Sequence, residues 1–179
     1  MNVDVLKNAK RIGEFTLNKK KNVKKNLNFS KDDKLSQDNW KKNEARVYFI
    51  ILNGKIVKIG GSNAKGGICG TISPYCGGNG GRPSDRTFGV NWLIEKELRS
   101  GNKVELYCQW MPAVRASVPS LLSTIHEQVS FSYKNMEEAC VKEYLELNNG
   151  TYPMWNFQEA NREWPKEIQE GRRKLLESK

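Results

Sequence analysis

The chain has 179 residues and a formal net charge of +10, from 30 Lys and Arg against 20 Asp and Glu. That length suits one core with a short extension, and the basic excess points to an anionic partner, nucleic acid first. No apolar run nears a membrane span, and the lysine-rich start does not read as a secretory leader; four cysteines without a CxxC pair and one histidine, His126, argue against structural zinc and for reduced thiols in a cytoplasmic protein.

Residues 1–45 read as a basic N-terminal arm. The stretch "LNKKKNVKKNLNFSKDDK" is dense in lysine, with Leu6, Ile12, Phe15, Leu17, Leu27, Phe29, Leu35 and Trp40 as possible anchors of the arm. Such an arm is either a solvated tail or a strip lying along phosphates, with Lys24 and Lys25 as contact candidates. Residues 46–60 predict a hairpin: "VYFIIL" and "KIVKIG" are β-branched and aromatic, and Asn53-Gly54 is a strong two-residue turn signal.

Residues 61–83 hold over half of the chain's 15 glycines and read as a loop. Residues 84–100 predict a helix capped by Ser84 or Asp85, with Phe88, Trp92, Leu93 and Leu98 on one face and Gly101 after its end. "KVELYCQWM" at 103–111 alternates as a third strand. Residues 112–131 fit neither period. A helix follows at 134–150, then a compact aromatic loop, then a charged helix at the C-terminus. The expected fold is α/β (α+β): a small three-stranded, mainly antiparallel sheet flanked by helices. The expected layout is an arm over 1–45, a core over 46–160 and a charged C-terminal helix over 161–179.

No Walker loop, no GxGxxG after a strand and no GxSxG elbow is present. The glycine loop alone lacks the fixed spacing of a phosphate cradle. "VYFII…VKIGGS", however, resembles the two-strand signature of the GIY-YIG nuclease family. Tyr48 matches the tyrosine of the first half. "KIG", Lys58 to Gly60, matches the second half, with lysine in place of the usual tyrosine, a replacement that some restriction endonucleases of the family carry. "MEEACVKEY" matches the glutamate helix, with Glu138 preferred over Glu137 because an apolar helical run follows it. "YPMWN" matches the closing segment, with Asn156 its asparagine. Tyr75, in "SPYCGG", resembles a second tyrosine of restriction members. The family arginine is expected soon after the "IG" glycines, where only Lys65 stands. Arg86 takes its place here because it starts a helix, with Arg82 next. The resemblance spans residues 46–157.

That resemblance implies hydrolysis of phosphodiester bonds in double-stranded DNA with Mg²⁺ or Mn²⁺. Glu138 is the implied metal ligand. Tyr48, or Tyr75 as its rival, is the implied base or water-positioning group, with Lys58 lowering the phenol's pKa. The arginine clamps phosphate oxygens. Lys65 and Arg82 join the arm lysines as DNA contacts. Cutting both strands with one site per chain implies a homodimer or higher homo-oligomer on symmetric half-sites, as in type II restriction. Segments 61–83 and 112–133 are the expected source of specificity. A phage-type nuclease of loose specificity and a non-catalytic DNA-binding module of the same fold are the alternatives. His126 lies outside the motifs, as a structural or phosphate-contacting residue.

Overall fold

Residues 46–51 are buried on both faces, which is why "RVYFII" shows no alternation and marks a central strand. In the computed structural model, which describes residues 1–19, 25–77, 81–111, 114–119, 121, 122, 124–129 and 132–178, this strand is β3, Arg46–Leu52. It pairs antiparallel with β4 (Lys55–Ser62) across the Asn53-Gly54 turn, whose φ values of 47° and 80° are the positive pair that a tight hairpin needs. On its other side lies β5 (Val104–Trp110), also antiparallel.

The sheet continues beyond the three expected strands. β1 (Lys10–Leu17) pairs with β5, and β2 (Leu27–Lys31) with β1, giving the order β2-β1-β5-β3-β4. Five strands replace three because part of the segment read as an arm is sheet. Ile12, Phe15 and Leu27 are at most 2 % exposed. Arg11 of β1 is tied to Glu105 of β5 at 2.7 Å and to Asp32 at 2.6 Å. Charge there serves strand docking rather than marking solvent.

The two faces of the sheet are covered differently. On one face Tyr48, Ile50 and Leu106 pack against Ile68 and Ile72 of α2 (Gly67–Cys76) and Phe88, Val90 and Ile94 of α3 (Asp85–Arg99). On the other, Val47, Phe49, Ile51 and Ile59 meet Met136, Val141 and Tyr144 of α4 (Tyr133–Leu147). α3 matches its expected helix, with the Ser84 hydroxyl accepting from the Thr87 N–H. α2 lies where a loop was expected. The charged C-terminal helix, α5 (Lys166–Glu177), docks on α3 through buried Ile168 and the pairs Lys96–Glu167 and Arg172–Asp85. A short helix, α1 (Gln37–Lys41), precedes β3. β6 (Val114–Pro119) and β7 (Thr124–Val129) form a separate antiparallel ribbon within the segment that fitted neither period. Among the described residues no helix is long and apolar enough to cross a membrane.

Candidate active site

The end of β4, "KIGGS", sets the site because two successive glycines remove side chains from an edge strand. Gly60 stands opposite Tyr48, and a Cβ there would fall on the Tyr48 ring. A Cβ on Gly61, on the other face, would stand 2.7 Å from Glu137 Oε2 and from the Tyr133 ring. The glycines thus let a phenol close in from one side of the strand and a carboxylate from the other. The Gly61 N–H also donates to Glu137.

The Tyr48 and Tyr75 hydroxyls are 2.5 Å apart, with the rings edge-on at 6.1 Å between centroids. Both phenols are buried. Burial pushes both above the ordinary phenol value, and pushes Tyr48 well above it. The neighbouring phenol and Glu137 push Tyr48 the same way, and the Arg86 charge opposes them. The expectation that Lys58 lowers the Tyr48 pKa therefore fails: burial dominates, and the phenol stays protonated at neutral pH.

Lys58 is 1 % exposed, and burial brings its ammonium down to about 8, against the opposing pull of Glu159. Its Nζ is 3.8 Å from Glu159 Oε1. The same oxygen accepts from Arg86 Nη2 at 3.1 Å, while Arg86 Nε donates to Gln158 Oε1 at 2.9 Å. One carboxylate so holds two cations, one buried and one at the surface.

What brings Glu159 there is Asn156. Its Nδ2 donates to the Ile59 carbonyl and its Oδ1 accepts from the Ile59 N–H, both at 2.8 Å. The Trp155 N–H donates to the Val57 carbonyl at 2.8 Å. This segment thus occupies the open edge of β4 and carries Gln158 and Glu159 over Lys58.

Tyr48, Lys58, Tyr75, Arg86 and Asn156 come together as the sequence reading grouped them. Glu138 lines a cleft beside Arg86. It is exposed at the rim of this cleft of about 520 Å³, which Glu137, Tyr133, Arg86 and Glu159 also line. Glu137 is the half-buried residue, and burial raises its carboxyl above the usual range, with the Lys58 charge opposing. Lys25 and Lys65 are exposed outside this cleft. Arg82 lines a different groove, beside Arg172 and Arg173 of α5. Lys24 and the side chain of His126 lie outside the described residues.

Sequence reasoning missed Glu159. Its only signal is its place three residues after Asn156, which means nothing until the segment is laid along β4. Arg46 was also passed over. It is fully buried, and its guanidinium is spent on Thr71 Oγ1 (2.8 Å) and on the carbonyls of Lys42, Glu44, Ala64 and Gly67. It fastens the connection between β4 and α2 and has nothing left for a phosphate. Among the described residues no group of three or more His, Cys, Asp or Glu gathers as a metal cluster. The donors facing the cleft are carboxylate oxygens, which suit a hard cation that keeps most of its waters.

No protein-family profile and no curated protein matches this sequence. Solved structures do resemble it. The restriction endonuclease HPY188I in complex with product DNA is 20% identical with a TM-score of 0.49, covering 86% of this chain and 84% of that one. A mutant form of bacteriophage T4 EndoII is 22% identical with a TM-score of 0.50, covering 83% and 91% respectively. At these identities the likeness is one of fold.

Proposed function

We propose that this chain is a metal-dependent endonuclease of the GIY-YIG type that cuts double-stranded DNA. One observation carries the reading: a buried lysine, a surface arginine, a phenol pair and a half-buried carboxylate converge on a glycine-bearing edge strand in a chain of net charge +10. Each of these groups has an ordinary structural explanation alone, and their convergence does not.

Arg86 receives the non-bridging oxygens of the scissile phosphate, exchanging Glu159 for a phosphate of the same charge sign. Lys58, with a pKa of about 8, takes a proton from the attacking water, because its neutral form is accessible near neutral pH. The Tyr48–Tyr75 pair shares one hydrogen bond and so keeps one hydroxyl proton to orient water or phosphate. It acts as a neutral donor, in place of the phenolate base that the family resemblance implied. Asn156 positions Lys58 through the backbone of β4 and touches no reacting atom.

Glu137, rather than Glu138, holds Mg²⁺ or Mn²⁺ in this reading. The fit rests on its oxygen donors and on a burial that penalises its charge, which a bound cation would offset. Such a cation, when bound, polarises the phosphate and stabilises the leaving oxygen. Cleavage of both strands is the work of a homodimer on symmetric half-sites, in the manner of type II restriction.

The test is cleavage of supercoiled plasmid DNA with Mg²⁺ and with excess chelator. The wild type should cut only with metal, and discrete fragments would support sequence specificity where a smear would support loose degradation. Glu137→Gln should lose at least about 10²-fold in rate while keeping DNA binding, and Glu138→Gln should stay near wild type. An inactive Glu138→Gln beside an active Glu137→Gln would return the metal to Glu138. No cleavage with any divalent metal would leave a DNA-binding module.

A further inference from the structure

Of the arginines whose side chains are described, Arg82 alone meets no hydrogen-bond or ion-pair partner. The others reach carboxylates or, for Arg46 and Arg162, backbone and hydroxyl oxygens. Arg82 is exposed, yet its mount is firm. Pro83 follows it, buried, with φ held by its ring and its carbonyl accepting from Arg172 Nε at 3.0 Å. Arg172 Nη1 lies 3.1 Å from Asp85 Oδ1 in the first turn of α3. Arg82, Arg172 and Arg173 together line an open groove of about 530 Å³, completed by Gln169, Leu176 and Glu177.

We propose that this groove between α5 and the start of α3 binds backbone phosphates of double-stranded DNA, as a second contact beside the cleft. Three guanidiniums share the groove lining with one carboxylate. Like charges gathered in this way repel, and an outside anion relieves the repulsion. The partners that Arg172 and Arg173 already have are exchangeable: Asp85 is 58 % exposed and Glu177 is 59 % exposed, and pairs so open to water hold weakly. Guanidinium forks match phosphate oxygens in pairs, so a phosphodiester is a fitting replacement.

The position of the groove also favours a duplex. Asp85 and Arg86 are consecutive residues of α3, and Asp85 turns to Arg172 in the groove while Arg86 turns to Glu159 in the cleft. The first turn of α3 is thus the ridge between them. Phosphates of one strand follow each other every 3.4 Å or so of helix axis, about the rise that lets a strand held at Arg86 and passing over this ridge bring further phosphates to Arg172 and Arg82. Among the described lining residues Leu176 is the one apolar side chain, and none is aromatic, so the groove lacks the anchors that a protein partner uses. The inference rests on the reading of DNA as the partner of this chain, but not on cleavage.

The test is binding of the full chain to a labelled double-stranded oligonucleotide, with chelator to prevent cutting and with the salt concentration varied. Arg82→Gln and Arg173→Gln should each make the fall of log affinity with log salt shallower by about one unit, and the pair by about two, alike on duplexes of unrelated sequence. Circular dichroism should not change, because both side chains are exposed. Arg99→Gln removes the same charge from the last turn of α3 and should leave the slope as it is. A double variant with the wild-type slope overturns the proposal and leaves the nuclease reading standing. An equal change in Arg99→Gln also overturns it, since net charge would then act without the groove. A double variant of lower mass by light scattering, with an unchanged slope, would give the groove to a second copy and overturn it too. A wild type that binds no duplex at low salt removes both readings. A groove-dependent slope in a protein that cuts with no divalent metal keeps the groove and discards the nuclease.

Discussion

Replacing Lys58 by Met should stabilise the protein while it stops cleavage. The side chain is 1 % exposed, and its pKa falls from 10.5 to about 8. At about 1.4 kcal/mol for each tenfold change, that fall corresponds to about 3 kcal/mol held against folding at neutral pH. Met keeps the length and apolar stem without the charge. About 3 kcal/mol is an upper bound, because Glu137 loses a neighbour that favours its ionised form. The sign follows from proton counting. Between pH 8 and 10.5 the unfolded chain holds a proton on Lys58 that the folded chain has released, so wild-type stability rises with pH across that window. Below pH 8 the penalty is complete. Urea unfolding of both proteins from pH 7 to pH 10 measures it, and the difference between them cancels the other titrating groups. The variant should be more stable at pH 7, and the gap should close towards pH 10. In the cleavage assay the wild-type rate should climb about tenfold per pH unit until about pH 8, and the variant should fall by about 10²-fold or more. A stability gap that does not move with pH would mean that Lys58 keeps an ordinary pKa, and would remove the basis for its role as base.

The phenols make a second test. Tyr48→Phe or Tyr75→Phe strands the other buried hydroxyl and should each cost about 1–3 kcal/mol in unfolding experiments, whereas the double variant should cost less than the sum. Cleavage should fall in the single variants without displacing the pH profile, and a displaced profile would restore a phenol as the base. The N-terminal strands make a third. Deleting residues 1–31 removes β1 and β2 together with Ile12, Phe15 and Leu27, each worth about 1.5–3 kcal/mol, and should give an unfolded protein by circular dichroism. A folded, soluble truncation would show that the first 31 residues are an appendage. Lys25 and Lys65 can be tested without that loss: changing both to Gln should flatten the salt dependence of DNA binding by about one unit of slope for each phosphate contact removed, and an unchanged slope would take them off the DNA.

The hairpin was legible because its information is local. Asn53-Gly54 dictates the turn, and β-branched neighbours dictate the strands. β1 and β2 were not, because a lysine count describes surface, and the strand signal in "RIGEF" and "LNFSK" is short and broken by charge that Arg11 spends on Glu105 and Asp32. α2 was hidden by its own glycines. A Cβ on Gly67 would meet the Trp40 carbonyl, and one on Gly70 the Lys65 carbonyl, so these residues are there for close packing rather than for flexibility. The choice between Glu137 and Glu138 did have a signal. Glu137, Val141 and Tyr144 follow the i, i+4, i+7 spacing of one helical face, and Val141 and Tyr144 are buried against the sheet. The apolar run after Glu138 is composition, whereas this period puts Glu137 on the face packed against the sheet.

Asn156 shows how a motif residue can act through the backbone of its neighbours. Its motif groups it with Lys58 and Arg86, and it lies on the edge of β4 beside Lys58. Yet its Oδ1 and one of its N–H groups are used on Ile59, and at 0 % exposed the side chain is shut away from a phosphate. An edge strand carrying two glycines has little side-chain packing to hold it, and its outer backbone groups need partners. Asn156 and Trp155 supply them at Ile59 and Val57, on either side of Lys58. The ammonium is fixed between two pinned residues, under the Glu159 that the same segment delivers. Burying that lysine costs stability, so the strand that bears it cannot also be loose. Asn156 makes the buried charge tolerable by fixing the strand that bears it, which a motif alone does not reveal.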